Sequence, residues 1–342
     1  MTEAEFLDGL RRLPLHPGAH GLADDTATLG RHILTTDTLV EGVHYLATDP
    51  PEDVAWKLLA QNLSDLAAKG ATPVGVLLNY PLRASPSLSA SPANAGAQSG
   101  NDHEERLRDI TSTAATGPRR SPGWKQEEDW DARFLAGLAT ALTHFTCPLL
   151  GGDTVSLPPH APRVLTLTAI GADAAAPPRS GARAGDALYV TGTIGDAGAG
   201  LAIAQGEDGP AILLAAYRRP QPCLAEGRAL APRVHAMMDV SDGLLIDAQR
   251  LAAASALAVT IDLAAVPLSP AYAAHVGTDQ AARLAAATAG DDYQLLFAAP
   301  ADFAAPVPVT RIGAFSDGAG LTLKHGAQPL PLPAKLGFQH AS

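Results

Sequence analysis

Short apolar segments that alternate between helix-like and strand-like patterns constrain the fold of this chain most strongly. Residues 51–70 repeat apolar side chains at the spacing of one helix face. Segments 34–37 and 74–80 are rich in β-forming residues and are bounded by turn residues, as strands are. Residues 237–263 follow the pattern of strand, acidic turn, helix and strand. Alternating strands and helices indicate an α/β fold of mixed α+β character.

The length of the chain predicts two domains, because 342 residues exceed one ordinary hydrophobic core. A segment rich in proline and glycine at 174–186 precedes a new predicted strand at 187–191. We therefore predict an N-terminal domain at residues 1–175 and a C-terminal domain at residues 176–342.

An unusual segment at 84–130 interrupts the first domain. Its first part is rich in Ser, Pro, Ala, Gly and Asn and has almost no aliphatic side chains. Such a composition buries too little apolar surface to offset the entropy of ordering, so we predict a disordered insertion. A tolerated surface insertion and a regulatory lid are the two alternatives, and the composition favours the first. The next helix is predicted at 131–145.

Charge, cysteine content and hydropathy exclude several classes of function. A formal net charge of −11 argues against nucleic acid as a partner. Cys147 and Cys223 form no CxxC pair, which argues against a disulfide framework or a cysteine zinc site and fits a reducing cytoplasm. The apolar runs are far shorter than the roughly 20 residues that span a bilayer. The first ten residues lack the pattern of a secretory signal, so we expect no membrane association.

Aspartates with small neighbours recur at predicted strand ends and tight turns. They are Asp24, Asp25, Asp37, Asp65, Asp153, Asp239, Asp242, Asp291 and Asp292. A single Asp is most often a helix cap or a turn residue, but this set is larger than capping requires. If the carboxylates converge, cations must accompany them, since uncompensated buried charge is unfavourable. Oxygen ligands favour Mg²⁺, which commonly bridges to phosphate oxygens, so an acidic cleft of this kind suits ATP.

The common phosphate-binding motifs are absent from the sequence. It contains no GxxxxGK[ST] loop and no kinase-type HRD motif. The glycine-rich turn at 192–198 opens a predicted helix, where an anion can bind. Close packing of strand against helix is the alternative reading, and the incomplete GxGxxG pattern favours it.

A series of motifs in a fixed order resembles the thiamine-monophosphate kinases, which belong to the AIR-synthetase-like ATP-binding superfamily. The segments that carry this resemblance are ADDTA (23–27), TTDTLVEGVHY (35–45), NLSDLAAKGATP (62–73), LLGGDT (149–154), RSGARAGD (179–186), VTGTIGDAGAGLAI (190–203), DVSDGLLID (239–247), GDDYQLLF (290–297) and GF (337–338). They span nearly the whole chain outside the segment 84–130. The combination of the second, third and fourth motifs is highly specific.

The resemblance implies ATP-dependent conversion of thiamine monophosphate to thiamine diphosphate, the last step of thiamine diphosphate biosynthesis. It also implies a homodimer through the N-terminal domain, with nucleotide and several Mg²⁺ ions between the two domains. The implied metal ligands, direct or through water, are Asp25, Thr35, Thr36, Asp37, Asp65, Asp153, Asp239 and Asp242. The implied ATP contacts are Gly152, Asp153, Arg179 and Ser241. The implied contacts to thiamine monophosphate are His44, Asp291 and Phe338.

The expected reaction is direct in-line transfer without a phosphorylated enzyme intermediate. The acceptor phosphate is mostly ionised at neutral pH, since its second pKa is about 6, and needs no strong base. Repulsion between two polyanions is the main obstacle, and metal ions held by aspartates relieve it.

Two positions depart from the family pattern, and several other functions compete. Ala23 replaces a glycine, and Asp291 replaces a glutamate. AIR synthetase, selenophosphate synthetase and the hydrogenase-maturation dehydratase share the expected fold. The latter two need a cysteine near the N-terminus or in a C-terminal tail, and this sequence has neither. A non-catalytic protein that binds metal or thiamine phosphate is a further alternative, disfavoured by the retained aspartates.

Overall fold

The computed structural model describes residues 3–83, 122–158 and 160–339, whose strands form two sheets with helices packed against them. The mixed α/β, two-part architecture expected from the sequence is confirmed. Residue 175, the expected domain boundary, lies in the segment between the two sheets. Within the described residues, no helix is both long and apolar enough to cross a bilayer.

The first sheet is formed by the N-terminal half of the chain. Its strands are β1 (Ala27–Leu29), β2 (His32–Val40), β3 (Thr72–Arg83), β4 (Leu149–Leu157) and β5 (Val164–Ala172). They lie in the order β1-β2-β5-β3-β4, with β3 and β4 parallel and the other neighbours antiparallel. Helix α1 (Glu3–Leu10) and a 3-10 helix (Pro17–Leu22) precede it.

Helix α2 (Pro51–Ala68) lies against one face of this sheet and also contacts the second domain. Its N-terminus has proline in the first turn with Glu52 and Asp53, which suit the positive end of the helix dipole. After its C-terminus, Gly70 adopts a φ of +65°, a conformation that favours glycine. Nearly every residue of α2 is buried, because helix, sheet and second domain enclose it.

Helix α3 (Pro122–His144) begins earlier than the sequence predicted. The predicted disordered insertion at 84–130 is therefore wrong for residues 122–130, which are helical. Within α3, the Trp130 and Phe134 rings stack with 5.4 Å between their centroids. The Arg163 guanidinium lies 3.9 Å from the centroid of the Trp130 ring. These aromatic and cation–π contacts anchor the helix in a segment of otherwise weak apolar pattern. The rest of the prediction, residues 84–121, lies outside the described residues.

The second sheet is formed by the C-terminal half. Its strands are β6 (Ala187–Val190), β7 (Ala236–Asp239), β8 (Ala258–Asp262), β9 (Leu295–Ala299), β10 (Thr310–Ser316), β11 (Gly320–His325) and β12 (Gln328–Leu330). They lie in the order β12-β11-β8-β10-β6-β9-β7, with β8 and β11 parallel and the other neighbours antiparallel.

The helices of this half are α4 (Asp196–Ala204), α5 (Ala211–Arg218), α6 (Leu224–Leu230), α7 (Leu244–Ala254), α8 (Pro270–His275) and α9 (Gln280–Thr288), with 3-10 turns at Ala231–Arg233 and Leu263–Ala265. The C-terminal end of α2 packs into this half, where Ala67 and Ala68 join a buried cluster with Tyr189, Met237 and Phe297. An added Cβ at Gly227 of α6 would lie 2.0 Å from the Ala67 carbonyl oxygen. Only glycine allows α6 to approach α2 this closely, so α2 is the element that joins the two halves.

Candidate active site

An open cleft of about 730 Å³ is lined by residues of both domains. One wall comes from β2, the loop after it and α2. The other wall comes from α4, the turn after β7, the segment before β9 and Phe338 near the end of the chain. Most of the site residues expected from the sequence line this cleft. They are Asp25, Thr35, Thr36, Asp37, His44, Asp65, Asp239, Ser241, Asp242, Asp291 and Phe338.

A stripe of four polar residues runs along the otherwise apolar helix α2. Lys57, Gln61, Asp65 and Lys69 follow one another at intervals of four, and each is at most 9% exposed. Residues four apart lie on neighbouring positions of one helix face. With a rise of 1.5 Å per residue, about 12 Å separates the first and third members. The sequence analysis singled out Asp65 but missed the lysines, although the spacing of four was visible in the sequence.

Burial and neighbouring negative charges raise the pKa values of three carboxylates in the cleft. Burial, followed by the charges of Asp37 and Asp239, raises the pKa of Asp65 well above its usual value. Burial, followed by the charge of Asp242, raises the pKa of Asp37 to about 6. Burial is the main cause that raises the pKa of Asp239 to about 7. Negative charge in this cluster is therefore unfavourable unless a cation accompanies it.

The turn between β7 and α7 is organised by a residue that the sequence analysis did not single out. The carboxylate of Asp247 accepts hydrogen bonds from the backbone N–H groups of Ser241, Asp242 and Gly243 at 3.0–3.1 Å. Arg250 donates to Asp247 at 2.9 Å and forms an ion pair with Asp242. These contacts fix Ser241 and Asp242, two of the predicted site residues. The signal was present in the sequence as an acidic residue in the first turn of the following helix.

Asp24 and Asp25, near the start of the first domain, each form an ion pair with a basic side chain. Asp24 accepts from the Lys69 Nζ atom at 2.5 Å, and Asp25 forms an ion pair with Arg179. Burial lowers the pKa of the Arg179 guanidinium. The Asp25 Oδ2 atom is buried without a hydrogen-bond partner in the described part of the chain. Ala23 has a φ of −109°, so its replacement of a glycine causes no backbone strain here.

The glycine-rich turn before α4 binds a carboxylate of the protein itself. Asp292 accepts hydrogen bonds from the backbone N–H groups of Gly195 at 2.8 Å and Ala197 at 3.4 Å. Burial raises the pKa of Asp292 well above its usual value. Of the two readings of this turn, internal packing therefore fits the structure better than binding of an external anion.

The three residues expected to contact the substrate, His44, Asp291 and Phe338, all line the cleft. The His44 and Phe338 rings lie 6.2 Å apart between centroids, and the His44 Nδ1 atom accepts from the backbone N–H of Val40 at 3.0 Å. Asp291 adopts a left-handed φ of +67° and accepts from the Tyr293 hydroxyl at 3.0 Å. A non-glycine residue in this conformation is uncommon and is held by its surroundings.

Three of the expected site residues do not line the cleft. Gly152 and Asp153 lie in β4 at the edge of the first sheet, where Asp153 pairs with Asn79 of β3. The sequence placed Asp153 at a tight turn or strand end, and this is wrong because Gly151 and Gly152 continue as strand. Arg179 is adjacent to the cleft through its pair with Asp25.

The donor set of the cleft suits magnesium in its chemistry. Carboxylates and threonine hydroxyls are the oxygen ligands that Mg²⁺ prefers, and Asp25 offers a buried oxygen without a partner. Among the described residues, however, no three His, Cys, Asp or Glu side chains converge closely enough to hold one ion alone. Water molecules and phosphate oxygens would complete the coordination, as is usual for Mg²⁺.

Comparisons with known proteins show the family of this chain. The sequence matches the family described as AIR synthase related protein, N-terminal domain, over residues 23–101 and 108–172, and the corresponding C-terminal domain over residues 183–325. It is 34% identical over 310 residues to the thiamine-monophosphate kinase of Caulobacter vibrioides, covering 84% of this chain and 74% of that protein. It is 34% identical over 308 residues to the Escherichia coli K12 enzyme of that name, covering 85% and 80%.

A solved structure shows the same overall arrangement. The structure described as AaThiL complexed with AMPPCP and TMP has a TM-score of 0.73 and 26% sequence identity to this chain, with 96% of each chain covered. The similarity therefore extends over both domains.

Proposed function

The chain belongs to the thiamine-monophosphate kinase family, and we propose that it transfers the γ-phosphoryl group of ATP to thiamine monophosphate. The products are thiamine diphosphate and ADP, and the reaction is the last step of thiamine diphosphate biosynthesis. One observation carries the proposal: a single cleft contains both the acidic cluster and the substrate-side residues His44, Asp291 and Phe338. The AMPPCP in the related structure is an analogue of ATP.

The cleft residues act by binding and neutralising charge. The acceptor phosphate is mostly ionised at neutral pH, since its second pKa is about 6, so no side chain need remove a proton from it. Asp37, Asp65 and Asp239 are the proposed centre of cation binding, with Asp25, Thr35, Thr36 and Asp242 as further ligands. Bound Mg²⁺ would supply charge neutralisation and align the phosphates. Arg179 and Ser241 are the proposed contacts to ATP, and transfer is direct and in line. Asp153 as a metal and ATP ligand and Gly152 as an ATP contact lie outside this cleft, so we propose that they act through the dimer described next.

We also propose a homodimer through the N-terminal domain at residues 1–175. Strand β4 is exposed along almost its whole length, and Leu149, Leu150 and Val155 are 49%, 52% and 53% exposed. An apolar edge strand exposed in this way is unfavourable in an isolated protomer. A partner at this face covers the strand and allows Asp153 to serve the cleft of the second protomer.

Expected localisation and partners follow from the same reaction. Cys147 and Cys223 are both unpaired, as in a reducing compartment. We propose that the enzyme acts in the cytoplasm, with thiamine monophosphate and ATP as its small-molecule partners.

A coupled assay of ADP release tests the proposed activity. Purified protein with ATP and Mg²⁺ is supplied separately with thiamine monophosphate, free thiamine and an aminoimidazole-ribotide precursor. ADP and thiamine diphosphate formed only with thiamine monophosphate support the proposal. Turnover of the ribotide precursor instead indicates a sister activity of the fold. ATP binding without turnover of any acceptor indicates a binding protein.

A further inference from the structure

Lys57 is a buried cation at the substrate end of the cleft, where the two domains meet. Its side chain is 3% exposed. The Nζ atom donates to Asp291 Oδ2 at 2.8 Å and to the carbonyl oxygen of His44 at 3.0 Å, and it lies 4.1 Å from the centroid of the Tyr217 ring. One ammonium group thus contacts two of the three residues expected to bind the substrate, one from each domain.

The ion pair fixes the carboxylate of Asp291. Lys57 binds Oδ2, and the Tyr293 hydroxyl donates to Oδ1 at 3.0 Å, so each carboxylate oxygen has a donor. The backbone of Asp291 adopts a left-handed conformation with a φ of +67°. Such a conformation persists only when surrounding contacts enforce it. Charge-assisted hydrogen bonds are stronger than neutral ones, which makes Lys57 the dominant constraint on this carboxylate.

The position of Lys57 on α2 links the substrate end to the acidic cluster. Lys57 and Asp65 belong to the same polar stripe, about 12 Å apart along a rigid buried helix. Any displacement of α2 therefore moves both ends of the cleft together. Gln61 lies between them and also lines the cleft.

We propose that Lys57 is a positioning residue for the substrate. It fixes Asp291 of the second domain and the His44 loop of the first domain relative to each other. Both groups are then already in position when thiamine monophosphate binds. This inference rests on the proposed function. Lys57 acts through Asp291, so its removal weakens binding of the acceptor and leaves binding of ATP, at the other end of the stripe, unaffected.

A double-mutant cycle tests this role. Lys57→Met is expected to raise the KM of thiamine monophosphate about tenfold, the size expected for a lost charge-assisted hydrogen bond. The kcat and the KM of ATP are expected to change less than about twofold. In an Asp291→Asn background, the same Lys57→Met change is expected to raise the acceptor KM less than about twofold. The reason is that an amide has already replaced the carboxylate that Lys57 binds.

Lys69→Met is the matched control, since Lys69 is a second buried lysine of the same stripe and pairs with Asp24 instead. It is expected to leave the KM of thiamine monophosphate within about twofold of wild type. If Lys57→Met does not fold, Lys57→Gln replaces it, because glutamine removes the charge that pairs with Asp291 and keeps a polar side chain at this buried position. It is expected to raise the acceptor KM about threefold.

The outcomes separate this inference from the proposed function. Absence of wild-type turnover with thiamine monophosphate overturns the proposed function and the substrate assigned to Lys57. Wild-type turnover with fully additive effects of Lys57→Met and Asp291→Asn overturns the role of Lys57 alone. An equal rise in the KM values of ATP and thiamine monophosphate, or an unchanged acceptor KM in Lys57→Gln, also overturns that role.

Discussion

Thr35 in β2 donates a hydrogen bond to the Oδ2 atom of Asp65 in α2, although the two residues are 30 positions apart in the sequence. A second contact joins the same elements, since the backbone N–H of Asp37 donates to Asn62 Oδ1 at 3.2 Å. The strand and the helix that carry the acidic cluster are therefore fixed to each other by polar contacts. Asp65 is buried here, and burial, followed by the charges of Asp37 and Asp239, raises its pKa, whereas the hydrogen bond from Thr35 lowers it.

Asp65→Asn is expected to abolish activity and to stabilise the protein. The kcat should fall at least about 100-fold, because the variant lacks a central charge of the proposed cation site. In EDTA at pH 7, the thermal midpoint should rise, because a buried carboxylate beside the charges of Asp37 and Asp239 has been removed. Kinetic assays and thermal denaturation measure both effects. Asp208→Asn, at an exposed position, is the control and should change neither. Full activity in Asp65→Asn would contradict the assignment.

The stability of the metal-free protein should decrease as the pH rises. The folded-state pKa values of Asp37 and Asp239 are raised from 3.8 to about 6 and about 7. Groups raised in this way favour folding most below pH 3.8, and that contribution is lost as the pH rises through 6 to 7. The thermal midpoint in EDTA should therefore be lower at pH 8 than at pH 5, and Mg²⁺ should reduce the difference. A midpoint in EDTA that is higher at pH 8 would contradict the model of the cluster.

Gly152→Ala should destabilise the first domain. A Cβ at this position would lie 1.8 Å from the Leu78 carbonyl oxygen, and the backbone φ of +152° is one that side chains rarely adopt. Because a backbone atom is the obstacle, the free energy of unfolding should decrease by more than about 2 kcal/mol in urea denaturation. Gly9→Ala is the matched control, since its Cβ meets no atom within 4 Å, and it should have little effect. Equal stability of both variants would contradict this account of β4.

Mixing two inactive variants tests whether Asp153 acts across the proposed dimer. If Asp153 serves the partner's cleft, a heterodimer of Asp65→Asn and Asp153→Asn protomers contains one intact site. Random exchange of equal amounts should then restore about a quarter of wild-type activity. Refolding the two variants together and measuring turnover gives this fraction, with each variant refolded alone as the control. No recovery, despite heterodimers seen by native mass spectrometry, would place Asp153 in its own protomer's cleft, and full activity of Asp153→Asn alone would place it outside the site.

Local patterns in the sequence were sufficient for much of the fold. Helix α2 was predicted because its apolar residues follow helical spacing and its end is marked by Gly70, and both features depend only on neighbouring residues. Strand β4 was missed because its glycines suggest a turn, whereas pairing with β3, more than 60 residues away, makes it a strand. The early start of α3 was missed because its anchoring partner, Arg163, lies on a distant element.

The candidate site shows the same division between local and non-local information. Motifs identified the residues that face the cleft, such as Asp65 and Asp239, because their small neighbours are visible in the sequence. The lysines that pair with acidic residues of the site were not identified. Lys57 and Asp291, for example, form an ion pair although they are 234 residues apart in the sequence. Only the packing of the two domains across α2 brings such groups together.

Direct detection of the product is the measurement that tests the central claim. Phosphorus NMR of wild-type protein with thiamine monophosphate, ATP and Mg²⁺ should show the loss of the monophosphate signal and the growth of thiamine diphosphate and ADP signals in equal amounts. The Asp65→Asn variant should leave the spectrum unchanged. An unchanged spectrum with folded wild-type protein that binds both substrates would contradict the assignment of this cleft as a site of phosphoryl transfer.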